Sequence, residues 1–325
     1  MWLWILLITA LIAAAFIFTV SWMLVKLVIT PERSSLEEVE QLEIERGNFA
    51  PGEMAAMLPD EEGSIIARDG VRLDYCWYRA AEPTDKVCIL AHGFWVRRES
   101  ELKYARIYMQ RGYDVLLYHQ RNSGTSEGKY CTMGYLERHD LAALVALARR
   151  DKGYPEKPCT VGVHGDSMGG ATVLLCGLGE NPPDFVVADC PFATLHDQLM
   201  YNVGSMKHLP SWPFEGPAEW ILRARAGFGY SDVSPLDELK RANGAPELPV
   251  LFIHGTADRL IPYDNTLRLY DAKRGKKALY ICPGAGHVRS ISTDREKYYA
   301  VVNEFLDKYG FKPLRRKTTH FIIKR

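Results

Sequence analysis

The sequence predicts an α/β fold: a mostly parallel, eight-stranded sheet flanked by helices, with a helical insertion acting as a lid. Three observations predict it. Short apolar runs of strand length recur between residues 64 and 281, helical patterns separate most of them, and a long segment at about 191–249 interrupts the alternation. Buried strands alternating with helices imply a parallel sheet covered on both faces. At 325 residues, 47% hydrophobic and 25% charged, the chain can build one large core with appendages.

The first element, in a segment expected at 1–28, departs from that composition. Trp2 to Val25 carries no charge and only Thr9, Thr19 and Ser21 as polar residues, with Trp2, Trp4 and Trp22 near its two ends. As a helix it is roughly 36 Å long, enough to cross the hydrocarbon core with some tilt, and aromatics suit the interfaces. A cleaved signal peptide is the competing reading. No Lys or Arg precedes the run and the run is long for a signal sequence, so an uncleaved membrane anchor is expected.

Residues 29–59 read as a linker. Ser35 and Glu38 have capping-box spacing and Gly47 closes the acidic stretch, so the linker holds a short surface helix or a solvated spacer. The domain itself is expected at 60–311. Ser64 to Ala67 and Val71 to Arg79 flank the turn dipeptide Asp69-Gly70, as in an antiparallel hairpin at a sheet edge. Strands are then expected at Val87 to Ala91, Tyr113 to Tyr118, Thr160 to Val163, Phe185 to Ala188, Val250 to Ile253 and Ala278 to Ile281. Helices are expected at Glu101 to Gln110 and Leu136 to Arg149. A last one is capped by Thr293 and Glu296 and ended by Gly310. A basic tail, 312–325, follows.

Charge and cysteine content exclude some function classes. Lys+Arg and Asp+Glu both number 40, so no net field points to nucleic acid. The seven cysteines are scattered, mostly in apolar stretches, and none has zinc-ligand spacing; they read as reduced core residues, and no metal or organic cofactor is implied.

In a parallel sheet, sites collect beyond the carboxyl ends of the strands. After Thr160 to Val163 comes His164-Gly165-Asp166-Ser167-Met168-Gly169-Gly170, a Gly-x-Ser-x-Gly between strand and helix. A strand must turn into a helix there within a few residues, and side chains at Gly165 or Gly169 would obstruct the turn. The turn lifts Ser167 clear of the sheet as a nucleophile. A serine hydroxyl needs a base, and His287 follows the last strand in a glycine-rich loop. Asp258, after the strand ending at Ile253, is the candidate for the acid that orients the imidazole; its bland alternative is a turn residue before Pro262. The oxyanion donors are expected to be the backbone N–H groups of Met168 and of Phe94, in the loop His92-Gly93-Phe94-Trp95. His164 and His254 read as supporting residues.

Ala91-His92-Gly93-Phe94, Gln120-Arg121-Asn122-Ser123-Gly124-Thr125-Ser126, Gly165-Asp166-Ser167-Met168-Gly169-Gly170, His254-Gly255-Thr256-Ala257-Asp258 and Gly284-Ala285-Gly286-His287 together resemble the serine α/β-hydrolase superfamily. Within it they resemble the serine aminopeptidase (S33) and monoacylglycerol-lipase-like branch with its bacterial membrane-anchored members. The chain order Ser, Asp, His is the one this fold uses. Two departures stand out: Asp166 where a His often precedes the nucleophile, and Asn122-Ser123 where Gly-His is usual.

The resemblance implies an α/β-hydrolase fold and a serine hydrolase, carboxylesterase or lipase-like, acting on a small-molecule ester or lipid-like substrate with an apolar acyl group. Amide or peptide hydrolysis on the same triad is the second reading, and a noncatalytic binding protein on this fold the third. Serine at the elbow disfavours dehalogenase or epoxide-hydrolase chemistry. The insertion carries Tyr201, Trp212, Phe214, Trp220, Phe228 and Tyr230, which suit either an acyl-chain cover or the packing of a small cap. Lys26 and Arg33 follow the apolar run and no basic residue precedes it, so a single-pass protein of the cell membrane with its domain in the cytoplasm is expected.

Overall fold

The computed structural model describes residues 1–313 apart from 180, 208, 209 and 211; most of the basic tail lies outside the described residues. Helix α1 (Trp2–Ile29) and helix α2 (Leu36–Glu45) precede the sheet. The expected capping box is present: Ser35 Oγ accepts from Glu38 N and Glu38 Oε2 from Ser35 N. Yet α2 is not a solvated spacer, because Val39 and Glu43 are fully buried against the domain.

Strands β1 (Glu61–Ile66) and β2 (Arg72–Tyr78) form the expected hairpin, with Ser64 opposite Asp74. Then come β3 (Lys86–Ala91), α3 (Leu102–Gln110), β4 (Asp114–Tyr118), α4 (Glu137–Asp151), β5 (Thr160–Asp166), α5 (Met168–Gly177) and β6 (Phe185–Asp189). Helices α6 (Leu195–Lys207), α7 (Glu215–Ala226) and α8 (Pro235–Arg241) make up the insertion. They are followed by β7 (Val250–Gly255), α9 (Asp264–Ala272), β8 (Lys277–Cys282), the short α10 (Ser290–Thr293) and α11 (Arg295–Lys308). The capping box expected at Thr293 is displaced by one residue. Asp294, in an extended conformation, is the N-cap and accepts from Lys297 N, while Thr293 closes α10.

The eight strands lie in the order β1-β2-β4-β3-β5-β6-β7-β8, with only β2 antiparallel to its neighbours β1 and β4. Alternate side chains divide between two cores. Cys88 and Leu90 of β3 face the layer of α2, α3 and α11, whereas Val87, Ile89 and Ala91 face α4, α5, α8 and α9. Each Leu or Phe so buried contributes about 1.5–3 kcal/mol, and both layers are continuous across the sheet. The chain leaves β3 for β4 on one side and returns to β5 on the other. The crevice at the ends of β3 and β5 is therefore the topological switch point.

Helix α1 has two halves. Residues 2–16 are exposed and, apart from Thr9, apolar, while Ser21, Val25 and Ile29, four residues apart on one face, are buried. That face lies on α7: Ser21 Oγ donates to the carbonyl of Phe214 at 3.0 Å, and the Phe18 and Trp220 rings meet at 6.2 Å. Below it, Cys131 N donates to the carbonyl of Ile29 at 2.9 Å.

Candidate active site

Ser167 sits between β5 and α5 with φ 54° and ψ −119°, a conformation that costs an L-residue about 1–3 kcal/mol and persists only where its surroundings dictate it. The surroundings are backbone. A Cβ on Gly169 would overlap the carbonyl oxygen of Ala91 and lie 2.7 Å from that of His92; one on Gly165 would lie 2.5 Å from the carbonyl of Gly169. The turn that bears Ser167 is thus pressed against the loop after β3, across the switch point.

The structure brings the three expected side chains together. His287 Nε2 is 2.9 Å from Ser167 Oγ, and His287 Nδ1 is 2.7 Å from Asp258 Oδ2. Asp258 has its remaining acceptor capacity filled: Oδ1 takes the backbone N–H groups of Leu260 and Ile261, both at 2.9 Å, and Oδ2 also takes His254 Nε2 at 3.2 Å. Burial opposes its ionisation, but the hydrogen bonds from His254 and His287 and the His287 charge outweigh it and hold the carboxyl well below the usual range. His254 is itself fixed by Thr266 Oγ1 at 2.7 Å and the Ile261 carbonyl at 2.8 Å, so the support role expected for it is filled.

Phe94 and Met168 both line the same pocket as Ser167. Met168 is the first residue of α5, so its N–H has no partner within the helix and is free to point at developing negative charge. The loop bearing Phe94 is braced by His92, whose Nε2 accepts from Gln120 N at 3.0 Å; burial pushes the imidazole down to about 4 and keeps it neutral. The pocket has a volume of about 300 Å³. It is walled mainly by apolar side chains, among them Leu199 and Met200 of α6, Phe214 at the N-cap of α7 and Leu222 of α7. Of the insertion's seven aromatics, Phe192, Phe214 and Tyr230 line it, Phe228 is buried elsewhere in the cap, and Tyr201, Trp212 and Trp220 are exposed, the last two at 81% and 63%.

A buried charge cluster lies beside Ser167, through Asp166, and sequence reasoning missed it. Lys103 of α3 is 3.0 Å from Asp166, 3.5 Å from Glu101 and 3.6 Å from Glu43 of α2, which in turn binds Arg46 at 2.6 Å. Burial disfavours the Lys103 charge, but the charge of Asp166, with that of Glu43, raises its pKa. Burial also opposes the Asp166 charge, and Lys103 lowers that carboxyl in spite of it. Glu101 is pushed up well above the usual range by burial and by the charge of Asp166, so it holds its proton. Two cations then face two carboxylates. The Asp166 that departs from the family pattern is the residue that links this cluster to the elbow.

Cys190, Asp258 and His287 each present a donor atom within 4.8 Å of the others. They suit a cation poorly, because Asp258 and His287 already share a proton and burial pushes the Cys190 thiol well up.

Comparison with known proteins bears on the family and the fold. Residues 101–311 match the profile of the prolyl oligopeptidase family. The chain is 34% identical over 307 residues to the protein YqkD of Bacillus subtilis, covering 93% of this chain and 94% of YqkD. It is 24% identical to a lysophosphatidylserine lipase of Danio rerio over 65% of this chain and 54% of the lipase. An esterase of Pyrococcus furiosus superposes with a TM-score of 0.64 at 26% identity, covering 86% of this chain and 98% of the esterase. The fold is that of the α/β-hydrolases, as the motifs implied.

Proposed function

The chain belongs to the prolyl oligopeptidase family, and from that premise we propose that it is a membrane-anchored serine hydrolase that cleaves carboxylic esters through an acyl-enzyme. One observation carries the reading: a continuous hydrogen-bonded chain from Ser167 through His287 to Asp258, with Ser167 lining an apolar pocket. The names of the Pyrococcus esterase and the Danio lipase support ester chemistry, and the latter agrees with the lipid-ester side of the S33-like resemblance. The family's own name favours amide or peptide bonds, which stand second.

In this reading His287 Nε2 takes the hydroxyl proton as Ser167 Oγ attacks the acyl carbon, and the carbonyl electron pair moves onto oxygen. The N–H groups of Phe94 and Met168 receive that oxyanion, each such donor worth about 10²–10³ in rate. Collapse expels the alcohol, protonated by His287. Water then attacks the acyl-enzyme, giving its proton to His287, and the acid leaves as the proton returns to Ser167 Oγ. Asp258 stays ionised throughout and holds the Nδ1–H tautomer.

The anchor belongs to the same proposal. A signal sequence is removed, whereas the inner half of α1 is packed on α7 and its loss would expose that face; this supports a retained helix. Lys26 and Arg33 follow the span, which supports a domain on the cytoplasmic side.

The test is labelling of the purified full chain with a fluorophosphonate, wild type against Ser167→Ala, followed by turnover of p-nitrophenyl esters and the matching anilides. Labelling only of the wild type and much faster ester turnover are expected. Persistent labelling of Ser167→Ala would remove the nucleophile assignment, and faster anilide turnover would put the peptidase reading first.

A further inference from the structure

The pocket that holds Ser167 is not closed by the hydrolase domain alone. Leu24, Val25, Leu27 and Val28, on the last turns of α1, form part of its wall opposite residues of α6 and α7. These turns are held in place. Ser21 and Ile29 are tied to Phe214 and Cys131 by hydrogen bonds, the Arg225 guanidinium lies 4.1 Å over the Trp22 ring, and Arg33 Nη1 donates to the carbonyl of Gly124 at 3.1 Å. Val25 is buried, while Leu27 is 59% exposed and still touches the pocket, so the cavity reaches the surface beside the helix.

A second observation concerns what lies outside that opening. Trp22 and Leu27 of α1 are exposed, and so is Trp220, whose ring meets Phe18 on the same helix. Exposed tryptophans beside an apolar helix are the side chains that settle at a bilayer surface. The first charge after the span is Lys26, within the turns that line the cavity, so the pocket sits at the level of the polar boundary.

We propose that the last two turns of the anchor helix are a specificity-determining wall of the acyl site, and that the substrate is a single-chain amphiphilic ester taken up from the membrane surface beside Leu27. This rests on the serine-hydrolase reading for the reaction, but the binding itself does not. At roughly 30 Å³ for a group the size of a methylene or a water, a cavity of about 300 Å³ takes an acyl chain on the order of ten carbons. One such chain fills it, which favours a single-chain ester.

Two measurements on the full chain in phosphatidylcholine vesicles test this. In the first, Leu24→Phe and Val28→Phe are compared with wild type on p-nitrophenyl butyrate and decanoate. Each methylene excluded from the pocket costs about fourfold in kcat/KM, so displacing three lowers the decanoate-to-butyrate ratio by about 60-fold. Leu11→Phe, on the bare half of α1, leaves the ratio at the wild-type value. An unchanged ratio in the Leu24 and Val28 variants overturns the proposal even where ester turnover is robust. The second measurement needs no turnover. The Ser167→Ala protein is photolabelled with decanoic acid carrying a terminal diazirine. Label in the peptide that contains Leu24–Val28, competed by unlabelled decanoate but not by butyrate, is expected. Competable label confined to other peptides overturns the assignment. Absence of ester turnover alone would count against the reaction and leave this second result to decide the site.

Discussion

Replacing Lys103 with methionine should be among the most damaging single changes in the protein, although Lys103 touches none of the triad side chains. The ammonium is buried and lies 3.0 Å from Asp166, with Glu43 at 3.6 Å and Glu101 at 3.5 Å. Methionine fills a similar volume but leaves two ionised carboxylates facing one cation, Arg46. Removing one partner of a buried ion pair costs about 3–5 kcal/mol, because the other charge stays desolvated and uncompensated. In a domain of this size that lowers the unfolding midpoint on the order of 10 °C. Asp166→Asn removes one of those carboxylates, so Lys103→Met/Asp166→Asn should be more stable than the sum of the single changes by about 2 kcal/mol or more. The assay is denaturant unfolding of the full chain in detergent, followed by tryptophan fluorescence, with fluorophosphonate labelling rate as a readout of the elbow. Strict additivity of the two substitutions would refute the reasoning, since it would mean that the two charges do not depend on each other.

Other outcomes follow from the same geometry. Ser167→Ala and His287→Ala should each abolish ester turnover in a folded protein, and the double variant should be little worse than either, because groups that act as a unit are not additive; steady-state kinetics checks it. Glu101→Gln should gain stability relative to wild type as pH rises. The folded-state pKa of Glu101 is raised, so its contribution is fully present below about 4.3 and is lost as pH climbs toward the folded value, by up to about 1.4 kcal/mol per pH unit. Parallel stability profiles between pH 5 and 8 would contradict this. Gly169→Ala should cost about 1–3 kcal/mol or more and reduce labelling of Ser167, because its methyl would meet the backbone of Ala91 and His92, which cannot rotate away.

What was legible in the sequence was local. Ser167, Asp258 and His287 each follow an apolar run and sit among glycines, and those two signals place them at strand ends without knowledge of any contact. The hairpin at Asp69-Gly70 was legible for the same reason. The charge cluster was not, because Glu43, Lys103 and Asp166 lie far apart along the chain and each reads alone as a surface charge. Asp166 stood out only as a departure from a pattern, with nothing nearby in sequence to say what neutralises it. Helix α2 read as a spacer because its acidic residues hide the fact that Glu43 has Arg46 and Lys103 to face. Thr293 and Asp294 compete for one cap, and the extended backbone at Asp294 decides it. In α1 nearly every residue is apolar, so the stripe of Ser21, Val25 and Ile29 that touches α7 leaves no periodic signature.

The position of Glu43 also bears on where the chain can be cut. Trimming away everything before the first strand to obtain a soluble fragment would delete Glu43 and Arg46 together, leaving Lys103 with Asp166 and Glu101 and opening the layer that Val39 fills. A fragment beginning at about Ser35 keeps the ion cluster but loses the part of the pocket that α1 supplies. The segment before the first strand is therefore an internal part of the protein, and a protease acting within it would break both the ion cluster and the wall of the pocket.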